Sequence, residues 1–553
     1  MRCDAMHGES RGPRPVNLRA GKINPLLLVL IVGGVAAAGL IALLPGGTKT
    51  SSGTGQQPLV MLVAAGLRGP VEQILERYEL EYGVEVIPQY GGSNMLLNQL
   101  KVNKFEEPDL YLAADAFYAD EAVREGLAAE RIPLAIQYPV VAYRPDRKQR
   151  PGSWKELFGE GTVWSLPDPD QAAAGRATRL ALGDVDPVAE GGGSLWDELV
   201  SQTTDSGVFK PTVNETANDL KIGAADFGIV WNATVAAPEY RDELAAVPLS
   251  ELVETRDIRL SGDQVTLAVL TTSTQATAAL RLARYFGARD RGLSLFDAAG
   301  MEPVEGDVWA EVPEVTFYCG AVNRKAIEPV IDAFQQREGV VINTVFDGCG
   351  ILTGRMAAID GQSQEAGFPD VYMACDRYYL DNVNQWFQDD IDVSETEIVL
   401  VVPAGSDQVR RLEDLVEPGV RVSIGEPDQC TIGALTRRLL RQAGLYERLK
   451  EKQMEAGEVV VEKSSSALIV PDVLTGHVDV AVAYRNDVLG HQDAVDVIRI
   501  DSPLTRAIQP LSIARNSDHK RLLRRLYRHV EAAQDRFEGA GFEFLLSGPA
   551  GTL

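Results

Sequence analysis

The chain has 553 residues, 45% of them apolar, which is too long for one ordinary domain and too apolar for global disorder. Its 79 acidic residues against 53 basic ones give a formal net charge of −26, which repels phosphate backbones and argues against general nucleic-acid binding. Five cysteines cannot form a dense disulfide scaffold, and five histidines leave little material for a histidine-rich metal enzyme.

Residues 1–24 form a basic tail in which Arg2, Arg11, Arg14, Arg19 and Lys22 face only Asp4 and Glu9. Residues 25–45 then read as LLLVLIVGGVAAAGLIALL held between Pro25 and Pro45. That stretch is close to the roughly 20 apolar residues a spanning helix needs. The positive-inside bias places the tail in the cytoplasm and everything after the span outside, in a single-pass inner-membrane topology. Ala36-Ala37-Ala38 keeps a cleaved signal peptide open, but apolar residues continue to Leu44, which favours an uncleaved anchor. Residues 46–57 have the composition of a flexible tether. Their GGTKT lacks the glycine spacing and preceding strand of a phosphate-binding loop and reads as linker.

The remainder is one unit written twice, as 58–310 and 313–553, with a constant offset of 256 (residue 60 onto residue 316) through its first part. Val71, Ile74, Leu75 and Tyr78 repeat as Ile327, Val330, Ile331 and Phe334, a helical stripe in both copies. Tyr90-Gly91-Gly92-Ser93 repeats as Phe346-Asp347-Gly348-Cys349. Pro108-Asp109-Leu110-Tyr111-Leu112-Ala113-Ala114-Asp115 repeats as Pro369-Asp370-Val371-Tyr372-Met373-Ala374-Cys375-Asp376. Pro169-Asp170-Gln171-Ala172 repeats as Pro427-Asp428-Gln429-Cys430, and Asp226 to Trp231 repeats as Asp479 to Tyr484. Strands alternating with amphipathic helices predict an α/β architecture with parallel sheets and right-handed crossovers. In such sheets ligands bind where loops leave the strand C-termini, and glycine-rich loops opening helices aim backbone N–H groups there.

With its AAGL and GGS loops, PDLYLAAD and the closing AAQDRFEGAGF, the sequence resembles bacterial extracytoplasmic solute-binding proteins. Within these it is most similar to the molybdate/tungstate-binding family of ABC importers, which have the type II periplasmic-binding-protein fold. The resemblance implies two lobes per unit that close on a ligand about two hinge strands. One lobe would hold Pro58 to about Tyr143 plus Val265 onward, the other roughly Arg144 to Leu260, with second-unit hinges near Ile398–Val402 and Gln509–Ile513. It further implies ligand positions at Ala65, Gly66, Ser93, Asn94, Ala114, Ala172 and Trp231 in the first unit. Those of the second are Cys319, Gly320, Cys349, Gly350, Cys375, Cys430 and Tyr484. The first unit lacks the family's first-loop hydroxyl, and the second sets Asp347 where an anion would approach, which is unfavourable.

Apart from Cys3, every cysteine falls in the second unit, each on a different predicted cleft loop. Three readings stay open for Cys319, Cys349, Cys375 and Cys430: two disulfides, a soft-metal or iron–sulfur centre with four thiolate ligands, and thiols standing in for hydroxyls toward an oxyanion. Asp115, Asp376, Asp170 and Asp428 read as helix caps. The basic run from His519 to Arg528 carries a Leu522, Leu523 and Leu526 stripe and predicts an amphipathic surface helix. No Ser–His–Asp arrangement, nucleophile elbow or metal-ligand histidine pair is recognisable, so the expectation is a non-enzymatic protein. It would capture a small oxyanion for an ABC permease or for sensing; the alternative is a cysteine-ligated metal or redox protein on the same scaffold.

Overall fold

The structure, a computed structural model, describes residues 57–102, 108–183, 194–206, 209–253, 263–359 and 367–546. The basic tail, the expected anchor at 25–45 and most of the tether lie outside the described residues. Among the described residues no helix is long and apolar enough to cross a membrane.

The first repeat builds two sheets. In the first lobe β1 (Leu59–Ala64), β2 (Val86–Gly91), β3 (Leu110–Ala113), β4 (Ala128–Gln137), β10 (Asp263–Leu270) and β11 (Glu302–Pro303) stand in the order β11-β4-β10-β3-β1-β2. The second lobe holds β5 (Pro139–Tyr143), β6 (Trp164–Pro167), β7 (Phe209–Lys210), β8 (Phe227–Trp231) and β9 (Ala245–Pro248), ordered β7-β6-β8-β5-β9. β1 is parallel to β2 and β3, but β10 is antiparallel to both β3 and β4. The sheets are therefore mixed rather than parallel. The chain leaves the first lobe along β4 and must come back along β10, so the returning strand runs against its neighbours.

The second repeat contains β12 (Glu314–Gly320), β13 (Val341–Asp347), β14 (Val371–Met373), β15 (Phe387–Pro403), β16 (Val422–Gly425), β17 (Val460–Lys463), β18 (Val480–Tyr484), β19 (Val495–Arg499), β20 (Arg506–Ala514) and β21 (Glu543–Phe544). Here both lobes share one sheet, because β15 pairs with β20 over its first part and with β18 and β19 from Ile398 onward. Its first crossover thus lies at Glu397/Ile398, near the expected hinge. The second expected hinge is corrected: Gln509–Ile513 lies inside β20, and the chain returns between β19 and β20. In the first repeat the crossover falls at Tyr138, between β4 and β5, so β5 belongs wholly to the second lobe and the expected boundary at Tyr143 is late by one strand. One apolar cluster runs through both lobes of the second repeat; in the first repeat a cluster likewise reaches both lobes through Val140, Ala174 and Val230, and the second lobe adds a separate core around Trp154, Trp164 and Phe227.

The first lobes of the two repeats are welded together. Glu338, fully buried at the end of the helix Arg324–Glu338, accepts from Arg284 at 2.9 Å and from Arg525 at 2.6 and 3.0 Å. Burial alone would raise its carboxyl, but the Arg525 and Arg284 charges hold it below the usual range. Arg337 pairs with Glu130 through two bonds of 2.8 Å, while the Trp309 indole, at the end of the first repeat, donates to the Tyr82 hydroxyl of that same repeat at 2.7 Å. The helix Lys520–Glu531, expected on the surface, is part of this joint. Its leucine stripe is buried as predicted, but Arg525 is buried too, and Arg524 pairs with Glu305 and Asp389.

Candidate functional site: two closed clefts

In the first repeat, the loops after β1, β2 and β3 meet the second lobe across a closed cleft. The Asn94 backbone N–H donates to the Gln171 carbonyl at 3.2 Å, and its side-chain amide donates to the Asp170 carbonyl at 2.6 Å. Asn214 of the second lobe donates to the Ala65 carbonyl at 3.0 Å. Arg176 pairs with the buried Asp115 across the same cleft at 2.7 Å. Gly92 makes the closure geometrically feasible, since a methyl there would lie 2.5 Å from the Gln171 carbonyl oxygen. Of the expected ligand positions, Ala114, Ala172 and Trp231 are buried, and Gly66 packs under Trp231. Ser93 is turned inward, its hydroxyl accepting from the Ala114 N–H at 3.3 Å and its carbonyl from the Tyr111 hydroxyl at 2.7 Å.

The second repeat repeats this closure with different groups. Gly348 takes the role of Gly92, a methyl there falling 2.4 Å from the Gln429 carbonyl and 2.8 Å from that of Ser464. Gly350 stands in place of Asn94 and Ala434 in place of Arg176, so these two cross-cleft latches of the first repeat are not reproduced. Asp347 is neutralised within its own lobe by Arg355 at 3.1 Å and by the Gly348 N–H at 2.8 Å, which answers the concern about an approaching anion.

Two of the four aspartates are caps as expected. Asp115 accepts from the Phe117 N–H at 2.8 Å and Asp376 from the Tyr378 N–H at 3.0 Å. Asp170 and Asp428 are not. They pair with Arg179 and Arg437, and Cys430 occupies the cap position of the helix Thr431–Gln442.

All four described cysteines are free and buried. Cys349 and Cys375 meet with their sulfurs 3.1 Å apart, and the Cys375 N–H donates to the Cys349 sulfur at 3.2 Å. Cys319 sits in the apolar core of β12 with its sulfur directed to the Gly320 carbonyl, while Cys430 is directed to the carbonyls of Glu426 and Lys463. Among the described residues no group of three or more His, Cys, Asp or Glu side chains is arranged to hold a metal ion. The residues present therefore do not fit the four-thiolate soft-metal or iron–sulfur centre; the thiols come together as a pair. Burial pushes the Cys430 thiol up to about 12 and that of Cys319 well above its ordinary value. Burial would do the same to Cys349, but the Cys375 thiol, with the nearby Thr431 and Tyr372 hydroxyls, brings it below.

Sequence reasoning missed two members of this cleft. The Tyr372 and Thr431 hydroxyls are buried beside the Cys349 sulfur and, like that of the expected Tyr484, make no hydrogen bond to a nitrogen or oxygen among the described residues. Thr431 opens a helix of the second lobe, and Cys349 opens one of the first, so two sets of first-turn N–H groups flank these hydroxyls. The signal for Tyr372 was strand alternation, which sets it opposite the core-facing Val371 and Met373 of β14. Thr431 carried no signal beyond its place next to Cys430.

A family model described as bacterial extracellular solute-binding protein matches the chain twice, over residues 59–302 and 315–543. The chain belongs to the bacterial extracellular solute-binding protein family. A Haemophilus influenzae protein described as a binding protein is 27% identical over 252 residues, covering 45% of this chain and 91% of that protein. The Bacillus subtilis protein YvgL, described as an ABC transporter substrate-binding lipoprotein, is 28% identical over 162 residues, covering 28% of this chain and 58% of that one. Among solved structures, the Azotobacter vinelandii periplasmic molybdate-binding protein is similar at 20% identity and a TM-score of 0.35, covering 45% of this chain and all of that one, 100%. The Mycobacterium tuberculosis sulfate-binding protein SubI is similar at 19% identity and a TM-score of 0.34, covering 42% of this chain and 86% of that one. In this solute-binding protein the family unit is thus present in tandem.

Proposed function

We propose that the chain is a membrane-anchored extracytoplasmic capture protein that closes its second cleft on a small oxyanion of the molybdate or tungstate type, for delivery to an ABC permease or for sensing. The observation that carries this reading is the trio of buried hydroxyls on Tyr372, Thr431 and Tyr484, none bonded to a nitrogen or oxygen among the described residues and set beside two helix N-termini. A buried donor left without a partner, as on Tyr484, costs on the order of 1–3 kcal/mol, and Tyr372 and Thr431 reach only a weakly accepting sulfur. An oxyanion between the lobes accepts from all of them and gains from both helix ends. The anionic surface is no obstacle, because aimed donors act locally while distant charges are screened beyond about 8 Å. The reading involves no bond making or breaking; ligand shifts an open–closed equilibrium. Delivery to a permease is supported by the resemblance to YvgL, and the anchor by the apolar run at 25–45.

Native mass spectrometry of the full-length chain with molybdate, tungstate and sulfate tests the reading. One oxyanion bound per chain, lost on Tyr484→Phe combined with Thr431→Val, is the expected result. Failure to bind any of the three overturns it.

A further inference from the structure

We propose that Cys349 and Cys375 form a reversible dithiol–disulfide couple at the floor of the second cleft, a covalent modification site that the oxyanion reading does not require. Their sulfurs already touch at 3.1 Å, while Cys319 and Cys430 are engaged with backbone carbonyls elsewhere. The two thiols flank β12 from its neighbours β13 and β14 and meet over Gly320. A methyl on Gly320 would lie 2.2 Å from the Cys375 sulfur and 2.8 Å from that of Cys349, so only glycine leaves room for the pair.

The first repeat supplies the internal control. Its counterparts of Gly320, Cys349 and Cys375 are Ala64, Ser93 and Ala114. There the Ala114 N–H donates to the Ser93 hydroxyl at 3.3 Å, the same bond that Cys375 makes to the Cys349 sulfur at 3.2 Å. The frame is thus unchanged, and three positions differ together: two gain a thiol and the one between them loses its methyl. A lone buried cysteine is accounted for by packing. A contacting pair with a cleared gap is not, and outside the cytoplasm such pairs persist oxidised.

The chemistry balances with a disulfide-carrying thiol oxidoreductase, or glutathione disulfide, as oxidant. The Cys349 thiolate attacks the oxidant's disulfide and expels one thiolate. Cys375, losing its proton, then attacks the Cys349 sulfur of the mixed disulfide and expels the second. Two thiols of this chain are oxidised by two electrons, and one disulfide of the oxidant is reduced to two thiols. Cys349 and Cys375 are 0% and 5% exposed in the closed form. Gly348 abuts the opposite lobe beside them, so the oxidant enters only when the cleft opens.

The test is peptide mapping of the full-length chain after treatment with glutathione disulfide, acid quench and alkylation. A peptide pair linked through Cys349 and Cys375, with Cys319 and Cys430 alkylated and the link reversed by dithiothreitol, is expected. Gly320→Ala should slow formation of the link at least tenfold. Cys349→Ser with Cys375→Ala recreates the first repeat's pair; it should fold and give no link. Links to Cys319 or Cys430, alkylation of all four thiols, or protection of the pair without a link (as a bound thiophilic ion would give) each overturn the proposal. The mapping needs no ligand, so absence of molybdate binding sinks the oxyanion reading and leaves the linked peptide standing.

Discussion

In the first cleft, Ser93, Ala114, Ala172 and Trp231 are buried, and the closure is held by the protein's own groups: the Asn94 and Asn214 amides and the Arg176–Asp115 ion pair. In the second, Cys349, Cys375, Cys430 and Tyr484 occupy the corresponding places, and Gly350 and Ala434 stand where Asn94 and Arg176 do. Each cleft buries an orphaned hydroxyl, Thr234 beside Gly66 and Trp231 in the first and Tyr484 in the second, so the difference between them lies in the latches. The duplicated frame has been divided into a repeat latched across its cleft by Asn94 and Arg176 and a repeat that lacks these two latches.

The largest expected effect tests whether the repeats share one rigid frame. Glu338→Gln removes the charge that two buried arginines face, and breaking a buried ion pair costs about 3–5 kcal/mol. Denaturant unfolding of the full-length chain should show that loss in both repeats together; an unchanged midpoint for the first repeat would separate them. Next, Gly348→Ala drives a methyl into the Gln429 carbonyl and should abolish molybdate binding measured by calorimetry. Gly92→Ala makes the equivalent clash in the first cleft and should leave that binding intact; equal losses would erase the distinction between the clefts.

Tyr484→Phe deletes one donor to an anion. A hydrogen bond to a charged group is worth about 1.5–3 kcal/mol, so binding should weaken by roughly 10- to 150-fold. Trp231→Phe at the matching place should change it by less than about twofold. The smallest effect is a pH dependence. Burial pushes the Asp487 carboxyl up to about 7, against a lesser opposing pull from Lys325 and a hydrogen bond from Ser466. The folded chain therefore binds this proton more tightly than the unfolded one, and stability falls as pH rises from about 4 to about 7. Asp487→Asn should flatten that slope in thermal unfolding at pH 5 and pH 8. Asp487 is only half-buried by surface, so the slope will be modest.

The tandem organisation was legible because burial enforces periodicity: the stripe at Val71, Ile74, Leu75 and Tyr78 recurs as Ile327, Val330, Ile331 and Phe334, and all eight are buried. The cleft loops were legible for the same reason, since Gly92 and Gly348 mark places where a backbone passes too close for any side chain. What stayed hidden depends on pairing between distant segments. Nothing local to Phe387–Pro403 reveals that one strand serves two lobes while its first-repeat equivalent breaks at Tyr138. The four cysteines looked equivalent along the chain. Only the strand order β13-β12-β14 shows that Cys349 and Cys375 flank Gly320 while Cys319 faces the core. The helix Lys520–Glu531 misled in the same way, because its buried Arg525 answers to Glu338, far away in sequence.

The unbroken β15 has a mechanical consequence. In the first repeat the lobes are joined at Tyr138 by a break between two strands, where both backbone groups of Tyr138 bond to Asn232. In the second, any swing of the outer lobe must be absorbed as extra twist along a hydrogen-bonded ribbon. Neighbouring strands tolerate twists from roughly −10° to −35°. The second repeat therefore behaves as a torsion spring with a bounded excursion, returning toward its resting angle whenever the load is removed.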